Sequence, residues 1–147
     1  MKRIKYQMVQ IKELERVIET LFKNHEEIQI AYLYGSYAKG TQTEYSDIDI
    51  GIILKEDFKP PHLYFADLSL KIESHFNYKI NVDLRIINKT TPRFLFHVIK
   101  NGRIIFQKNR TITHEFELKV LYMYQEIKPM LDMYDEISIK EVLEDDY

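Results

Sequence analysis

The feature that most constrains this chain is the pair Gly35-Ser36, followed ten residues later by Asp47-x-Asp49. An apolar run over 28–34 leads into the glycine and predicts a buried strand. A second strand begins at the aspartates, and because side chains on a strand alternate between faces, Asp47 and Asp49 point the same way. Adjacent carboxylates repel, and aspartate is depleted from strands. A divalent cation that prefers oxygen ligands is the expected compensation, so the pattern predicts an active site.

A third carboxylate, Asp83, lies on another predicted strand. Apolar and polar residues alternate over 80–87, as in a half-buried strand. If this strand lies beside the first aspartates, Asp83 joins them and Arg85 lies close to the cluster. Three carboxylates on adjacent strands can hold two magnesium ions roughly 3.5–4 Å apart, as in polymerase-type phosphoryl transfer. Taken singly, each aspartate is more often a cap or turn residue, but the combination favours catalysis.

The Gly-Ser turn predicts a nucleotide-binding segment. Gly35 has no side chain, so the backbone can approach a phosphate closely. Ser36 offers a hydroxyl, and the free N–H groups of the short helix that follows favour anions. Lys39, one turn further on, can balance triphosphate charge; a solvated surface lysine is an equal alternative.

Composition limits the function classes. The chain has 147 residues, of which 45% are hydrophobic and 30% charged, which predicts one domain over 1–140, including a C-terminal helix, and a flexible acidic tail over 141–147. No apolar run approaches the roughly 20 residues that span a bilayer, and no signal-peptide core follows the N-terminus. With no cysteine present, we expect a cytoplasmic protein without a membrane partner. A net charge of −2 disfavours direct nucleic-acid binding, and with it a polymerase role.

The order of predicted elements gives an α/β fold with a small mixed β-sheet flanked by helices. Predicted strands cover 28–34, 47–54, 80–87 and 103–107. Predicted helices cover 8–24, 36–40, 64–77, 92–100 and 112–134, the last broken or kinked near Pro129. Thr90-Thr91-Pro92 is expected to cap and open the helix at 92–100, and Asn101-Gly102 to end it by the usual left-handed glycine geometry.

The motif of Gly35, Ser36, Asp47, Asp49 and Asp83 resembles that of the nucleotidyltransferase superfamily that includes DNA polymerase β. Within this superfamily the chain resembles the minimal nucleotidyltransferase (MNT) antitoxins encoded beside HEPN-domain ribonuclease toxins. The resemblance implies a polymerase β palm-like fold.

Weaker similarity to these antitoxins covers 92–107 and 121–134, including Lys128-Pro129. Lys39 departs from the pattern, because these proteins often carry arginine at that position. A lysine acts as a point charge and cannot make the forked phosphate contact of a guanidinium.

The resemblance implies transfer of AMP from ATP to a tyrosine hydroxyl of a cognate HEPN toxin, with which the chain forms a hetero-oligomer. It also implies two Mg²⁺ ions held by Asp47, Asp49 and Asp83. Two alternatives remain open: a small-molecule acceptor such as an aminoglycoside, and an antitoxin that masks its toxin by binding alone.

The last third of the chain is rich in aromatic and methionine residues. Such residues are enriched at protein interfaces, which predicts a docking surface for a partner protein; ordinary core packing is the equal alternative. The residues concerned are Tyr122, Met123, Tyr124, Met130, Met133 and Tyr134.

Overall fold

The computed structural model describes residues 3–145, which form four strands and five helices. In chain order these are α1 (Ile11–Phe22), β1 (Ile28–Tyr34), α2 (Ser36–Lys39), β2 (Ile48–Leu54), α3 (Tyr64–Ser74), β3 (Val82–Ile86), α4 (Pro92–Asn101), β4 (Arg103–Gln107) and α5 (Arg110–Asp145). The predicted elements are confirmed in type and order, with ends that differ by a few residues except in α5.

The strands form one mixed sheet in the order β3-β2-β1-β4. β1 is antiparallel to both β2 and β4, whereas β2 and β3 are parallel and joined by a crossover through α3. The end of β1 therefore meets the beginnings of β2 and β3 at one edge of the sheet. The predicted α/β class and mixed sheet are confirmed.

Apolar residues cover both faces of the sheet. One face packs against α1 and α3 through residues such as Leu14, Ile18 and Leu68. The other packs against α4 and α5 through residues such as Leu95 and Val120. As a result every residue of β2 is buried except one, the half-buried Asp49. A carboxylate in such a strand needs a specific reason to be there.

The two ends of α4 differ in how far they follow the prediction. At its start, the Thr91 side chain accepts a hydrogen bond from the Phe94 N–H at 3.2 Å, so the predicted cap is confirmed. At its end, the predicted left-handed glycine is wrong, because Gly102 has a φ of −87°. A Cβ at Gly102 would instead collide with the carbonyl oxygens of Val98 and Leu33. Glycine is needed there for close backbone packing.

The last helix is longer than predicted. α5 runs without interruption from Arg110 to Asp145, roughly 54 Å at 1.5 Å per residue, with Pro129 in its interior. The predicted end near residue 134 is wrong. Residues 141–145 of the predicted acidic tail continue the helix, whereas Asp146 and Tyr147 lie outside the described residues. The predicted flexibility of this tail stays a prediction.

Contacts between α5 and α4 lie on both sides of the proline. The Arg93 guanidinium donates a hydrogen bond to the Asp135 carboxylate at 3.2 Å, beyond Pro129. Before the proline, the Phe96 and Tyr124 rings stack with centroids 4.1 Å apart. Together these contacts hold α5 against α4 on both sides of the missing backbone N–H. Within residues 3–145, no helix has both the length and the apolar character needed to cross a membrane.

Candidate active site

Two carboxylates lie side by side where the strands begin. In the parallel pair of β2 and β3, Asp49 is directly opposite Asp83. In the antiparallel pair of β1 and β2, Asp49 is opposite Tyr34, the last residue before the Gly-Ser turn. Asp47 immediately precedes β2 and lies at the same edge. The sheet therefore gathers at one place three aspartates and a turn that the sequence separates by up to 48 positions.

Gly35 holds the turn directly against Asp49. Its backbone, with φ of 72° and ψ of −151°, lies in a region that is essentially restricted to glycine. A Cβ at this position would overlap the Oδ2 atom of the Asp49 carboxylate. Only glycine therefore allows the backbone at the start of α2 to lie on this aspartate.

The short helix α2 carries the other predicted nucleotide-binding residues. Ser36 is half-buried in the first turn, and its carbonyl accepts a hydrogen bond from the Thr41 N–H at 3.0 Å. The buried Tyr37 anchors the helix, since its hydroxyl accepts a hydrogen bond from the Val9 N–H at 3.4 Å. Lys39 is exposed. Ser36 and Lys39 both lie on the helix that directly follows the Gly35 turn, and their roles stay predictions.

Asp49 carries the most perturbed carboxylate of the cluster. Its pKa is raised to about 6, and partial burial is the largest cause. The charges of Asp83 and Asp47 add to the rise, while Arg85 acts in the opposite direction. At neutral pH the group is therefore mostly ionised at a cost in free energy. A cation bound beside it would remove that cost.

The other two aspartates are each held by a neighbour. Arg85 forms a fork on Asp83, with Nε 3.3 Å from Oδ1 and Nη2 3.0 Å from Oδ2. Asn81 donates from Nδ2 to the Asp47 Oδ1 at 2.9 Å. In the described part of the chain no three acidic, histidine or cysteine side chains are already arranged to hold a metal ion. The three carboxylates offer the oxygen ligands that magnesium prefers, and they project from one face of the sheet. Asp47 and Asp83, however, are hydrogen-bonded to protein side chains.

Two residues beside the site, Tyr34 and Gly51, were not among the site residues predicted from the sequence. The ring of Tyr34 lies over Gly51, where an added Cβ would lie 3.3 Å from Tyr34 Cε1 and 2.8 Å from Ile87 Cδ1. Among residues 3–145, the buried Tyr34 hydroxyl has no hydrogen-bond partner. Burial raises the pKa of Tyr34, Arg85 opposes that shift, and Asp49 and Asp83 add to it. A glycine inside an apolar strand was the available signal, because it marks a close approach.

A mixed sheet that presses a glycine turn onto paired aspartates is the architecture of a nucleotidyltransferase. The chain belongs to the polymerase beta nucleotidyltransferase family, whose sequence profile matches residues 16–111. The predicted membership of this superfamily is confirmed.

More specific similarity is found to protein adenylyltransferases. The protein adenylyltransferase MntA of Shewanella oneidensis is 27% identical over 113 residues, which cover 77% of this chain and 78% of that protein. A crystal structure of a toxin–antitoxin with AMP-PNP has a TM-score of 0.67 at 25% identity, covering 84% of this chain and 98% of that chain. A structure of tri-AMPylated Shewanella oneidensis HEPN toxin in complex with MNT antitoxin has a TM-score of 0.64 at 21% identity, covering 88% and 99%.

Proposed function

We propose that this chain is an antitoxin that transfers AMP from ATP to a tyrosine hydroxyl of a cognate HEPN toxin. The observation that carries the proposal is the pairing of Asp49 with Asp83 under the Gly35 turn. The relative MntA is a protein adenylyltransferase, and a structural neighbour holds an AMPylated HEPN toxin with its MNT antitoxin. The proposed partner, nucleotide and reaction follow from that similarity.

The three aspartates are the residues that would hold Mg²⁺. Bound Mg²⁺ neutralises phosphate charge and lowers the pKa of an attacking hydroxyl, which matters because a phenol has an ordinary pKa of about 10. Asp49 is best placed for a shared role, since it lies between Asp47 along the chain and Asp83 across the sheet. Its raised pKa reflects a cost of ionisation that a bound cation would offset.

The Gly-Ser turn would hold the triphosphate. Gly35 permits the backbone to lie close to the carboxylates, so phosphate oxygens bound at the turn would also be near the metal ligands. The Ser36 hydroxyl would donate a hydrogen bond to a phosphate oxygen, and Lys39 would add a mobile positive charge. These contacts would orient the α-phosphate toward the acceptor, with pyrophosphate leaving on the opposite side.

The position of the large cavities favours a protein acceptor over a small molecule. A cavity of about 570 Å³ lies between α4 and α5, with Phe96 and Tyr124 in its wall. Two others, of about 490 and 640 Å³, share Leu54, Lys55 and Asn88 in their walls. These residues lie at the far ends of β2 and β3, away from Asp49. An open site at the sheet edge suits a tyrosine presented by a folded partner, whereas an aminoglycoside would need an enclosing pocket.

Helix α5 offers a surface for such a partner. Tyr122, Met130, Met133 and Tyr134 are each 59–67% exposed, so the core-packing alternative is wrong for these four. Core packing does apply to Met123, which packs against the core between the sheet and helices α4 and α5. It also applies in part to Tyr124, which stacks on Phe96. Exposed methionine and tyrosine on one helix are typical of a protein interface.

The test is transfer to the HEPN protein encoded beside this chain. Both proteins are purified and incubated with ATP and Mg²⁺, and the toxin is weighed by intact mass spectrometry, with peptide mapping to locate the modification. We expect one or more AMP groups on tyrosine. Asp49→Asn should abolish the gain in mass, whereas Asp57→Asn, an exposed aspartate in the loop after β2, should leave it unchanged.

Two results would contradict the proposal. An unmodified toxin that nevertheless binds tightly and loses ribonuclease activity would indicate masking by contact alone. Labelling of an aminoglycoside from α-³²P-ATP, with none on the toxin, would indicate a small-molecule acceptor.

A further inference from the structure

Arg85 binds the carboxylate of Asp83, one of the proposed metal ligands. Its guanidinium contacts both oxygens of Asp83, with donor–acceptor distances of 3.3 and 3.0 Å. The two residues alternate on one strand, so their side chains project from the same face of β3. A forked guanidinium–carboxylate pair uses the oxygen atoms that a cation would otherwise bind.

The position of Arg85 makes the contact adjustable. Its side chain is 64% exposed, whereas that of Asp83 is 33% exposed. A largely exposed arginine can swing into solvent at small cost, so the pair can open without disturbing the sheet. Asp83, in contrast, is fixed opposite Asp49 by the β2–β3 register.

The two side chains that hold the aspartates, Asn81 and Arg85, differ in charge. Asn81, which holds Asp47, is neutral and contributes one hydrogen bond of 2.9 Å. Arg85 is a permanent cation, and it also lowers the electrostatic cost of ionising Asp49. In the metal-free protein, Arg85 therefore supplies part of the positive charge that a metal ion would supply.

We propose that Arg85 is a positioning residue that competes with the divalent metal for Asp83 and so weakens metal binding until nucleotide is present. The inference rests on the proposed function, because it takes Asp83 as a metal ligand. Free divalent cation alone would then load the site poorly. Cation arriving with a triphosphate, which brings its own oxygen ligands, would displace the guanidinium more readily.

The experiment measures metal binding without catalysis. The metal-free protein is titrated with Mn²⁺ at pH 8 and constant ionic strength, and free Mn²⁺ is followed by electron paramagnetic resonance. We expect Arg85→Gln to bind Mn²⁺ about three- to tenfold more tightly than wild type, the range for a forked but exposed ion pair. Arg85→Lys, which keeps the charge but loses the fork, should lie between them.

Arg103→Gln is the matched control. Arg103 also forms an ion pair, to Glu15 at 2.7 Å, is 51% exposed, and lies at the same edge of the sheet, opposite Leu33. Its loss removes the same charge without freeing an aspartate of the site. An affinity gain in Arg85→Gln no larger than in Arg103→Gln would overturn the inference.

A second comparison separates this inference from the proposed function. Combining Arg85→Gln with Asp83→Asn should abolish the gain, because the freed carboxylate is then absent. If wild type and Arg85→Gln both fail to bind Mn²⁺, the metal site itself is wrong. If both bind equally while toxin is still AMPylated, only the role of Arg85 is wrong.

Discussion

Replacing Gly35 with alanine tests whether the turn and the aspartate form one unit. The substitution adds a Cβ where the backbone has φ of 72° and ψ of −151°, and directs it at Asp49 Oδ2. Gly40, at the other end of α2, provides a matched control. It also has positive φ, 73°, but lies in the ordinary left-handed region, with no atom within 4 Å of an added Cβ.

The expected difference in stability between the two variants follows from the backbone conformation and the steric overlap at each glycine. Alanine at Gly40 should lower the free energy of unfolding by about 1 kcal/mol, the cost of left-handed backbone for a residue with a Cβ. At Gly35 the glycine-only backbone region costs about 1–3 kcal/mol. Overlap with the carboxylate costs a further 1–3 kcal/mol or so. We therefore expect a loss of about 3 kcal/mol for Gly35→Ala.

Urea denaturation at pH 7.5 measures both losses, provided that the m-value is unchanged. A double-mutant cycle then identifies the cause. In an Asp49→Ala background the overlapping atoms are gone, so Gly35→Ala should become less costly by about 1 kcal/mol or more. Equal losses for Gly35→Ala and Gly40→Ala, without coupling to Asp49, would refute the close contact between turn and carboxylate.

Two further predictions concern the charge of the site and its nucleotide contacts. Because the pKa of Asp49 is raised from 3.8 to about 6, its ionised form disfavours the fold. Asp49→Asn in EDTA should therefore stabilise the protein at pH 8, and the gain should disappear as the pH falls through 6 toward 4. At 1.36 kcal/mol per pH unit the gain is at most about 3 kcal/mol, and about 1 kcal/mol after solvent screening of a half-buried group. Urea midpoints at both pH values check this, and equal gains would contradict it. Ser36→Ala should weaken use of ATP by roughly 1–3 kcal/mol in kcat/KM, measured as the initial rate of AMP incorporation into toxin. Unchanged kinetics would place Ser36 outside the nucleotide site.

Local sequence pattern determined the elements and the face of each predicted site residue. Alternation over 80–87 placed Asp83 on a polar strand face, and Gly35-Ser36 with Asp47-x-Asp49 indicated the family that the profile confirms. These predictions succeed because strand alternation and turn chemistry depend on residues close in the chain.

Tertiary structure alone decided which side chains meet. The β2–β3 register places Asp49 opposite Asp83, 34 positions away. The contact of Asn81 with Asp47 also depends on that register. The fork of Arg85 on Asp83, two residues away on the same strand, depends on side-chain conformation. Gly35 depends on tertiary structure too, since its need for a missing Cβ arises from Asp49 across the sheet.

Helix α5 shows the same division. A proline in a helical pattern locally predicts a break or kink, and the sequence pattern separately predicts that the helix ends near residue 134. It continues to Asp145, and contacts with α4 lie on both sides of Pro129, the Phe96–Tyr124 stack before it and the Arg93–Asp135 pair beyond it. The local pattern registers the backbone hydrogen bond that proline removes, but it does not register the contacts that the helix makes with α4.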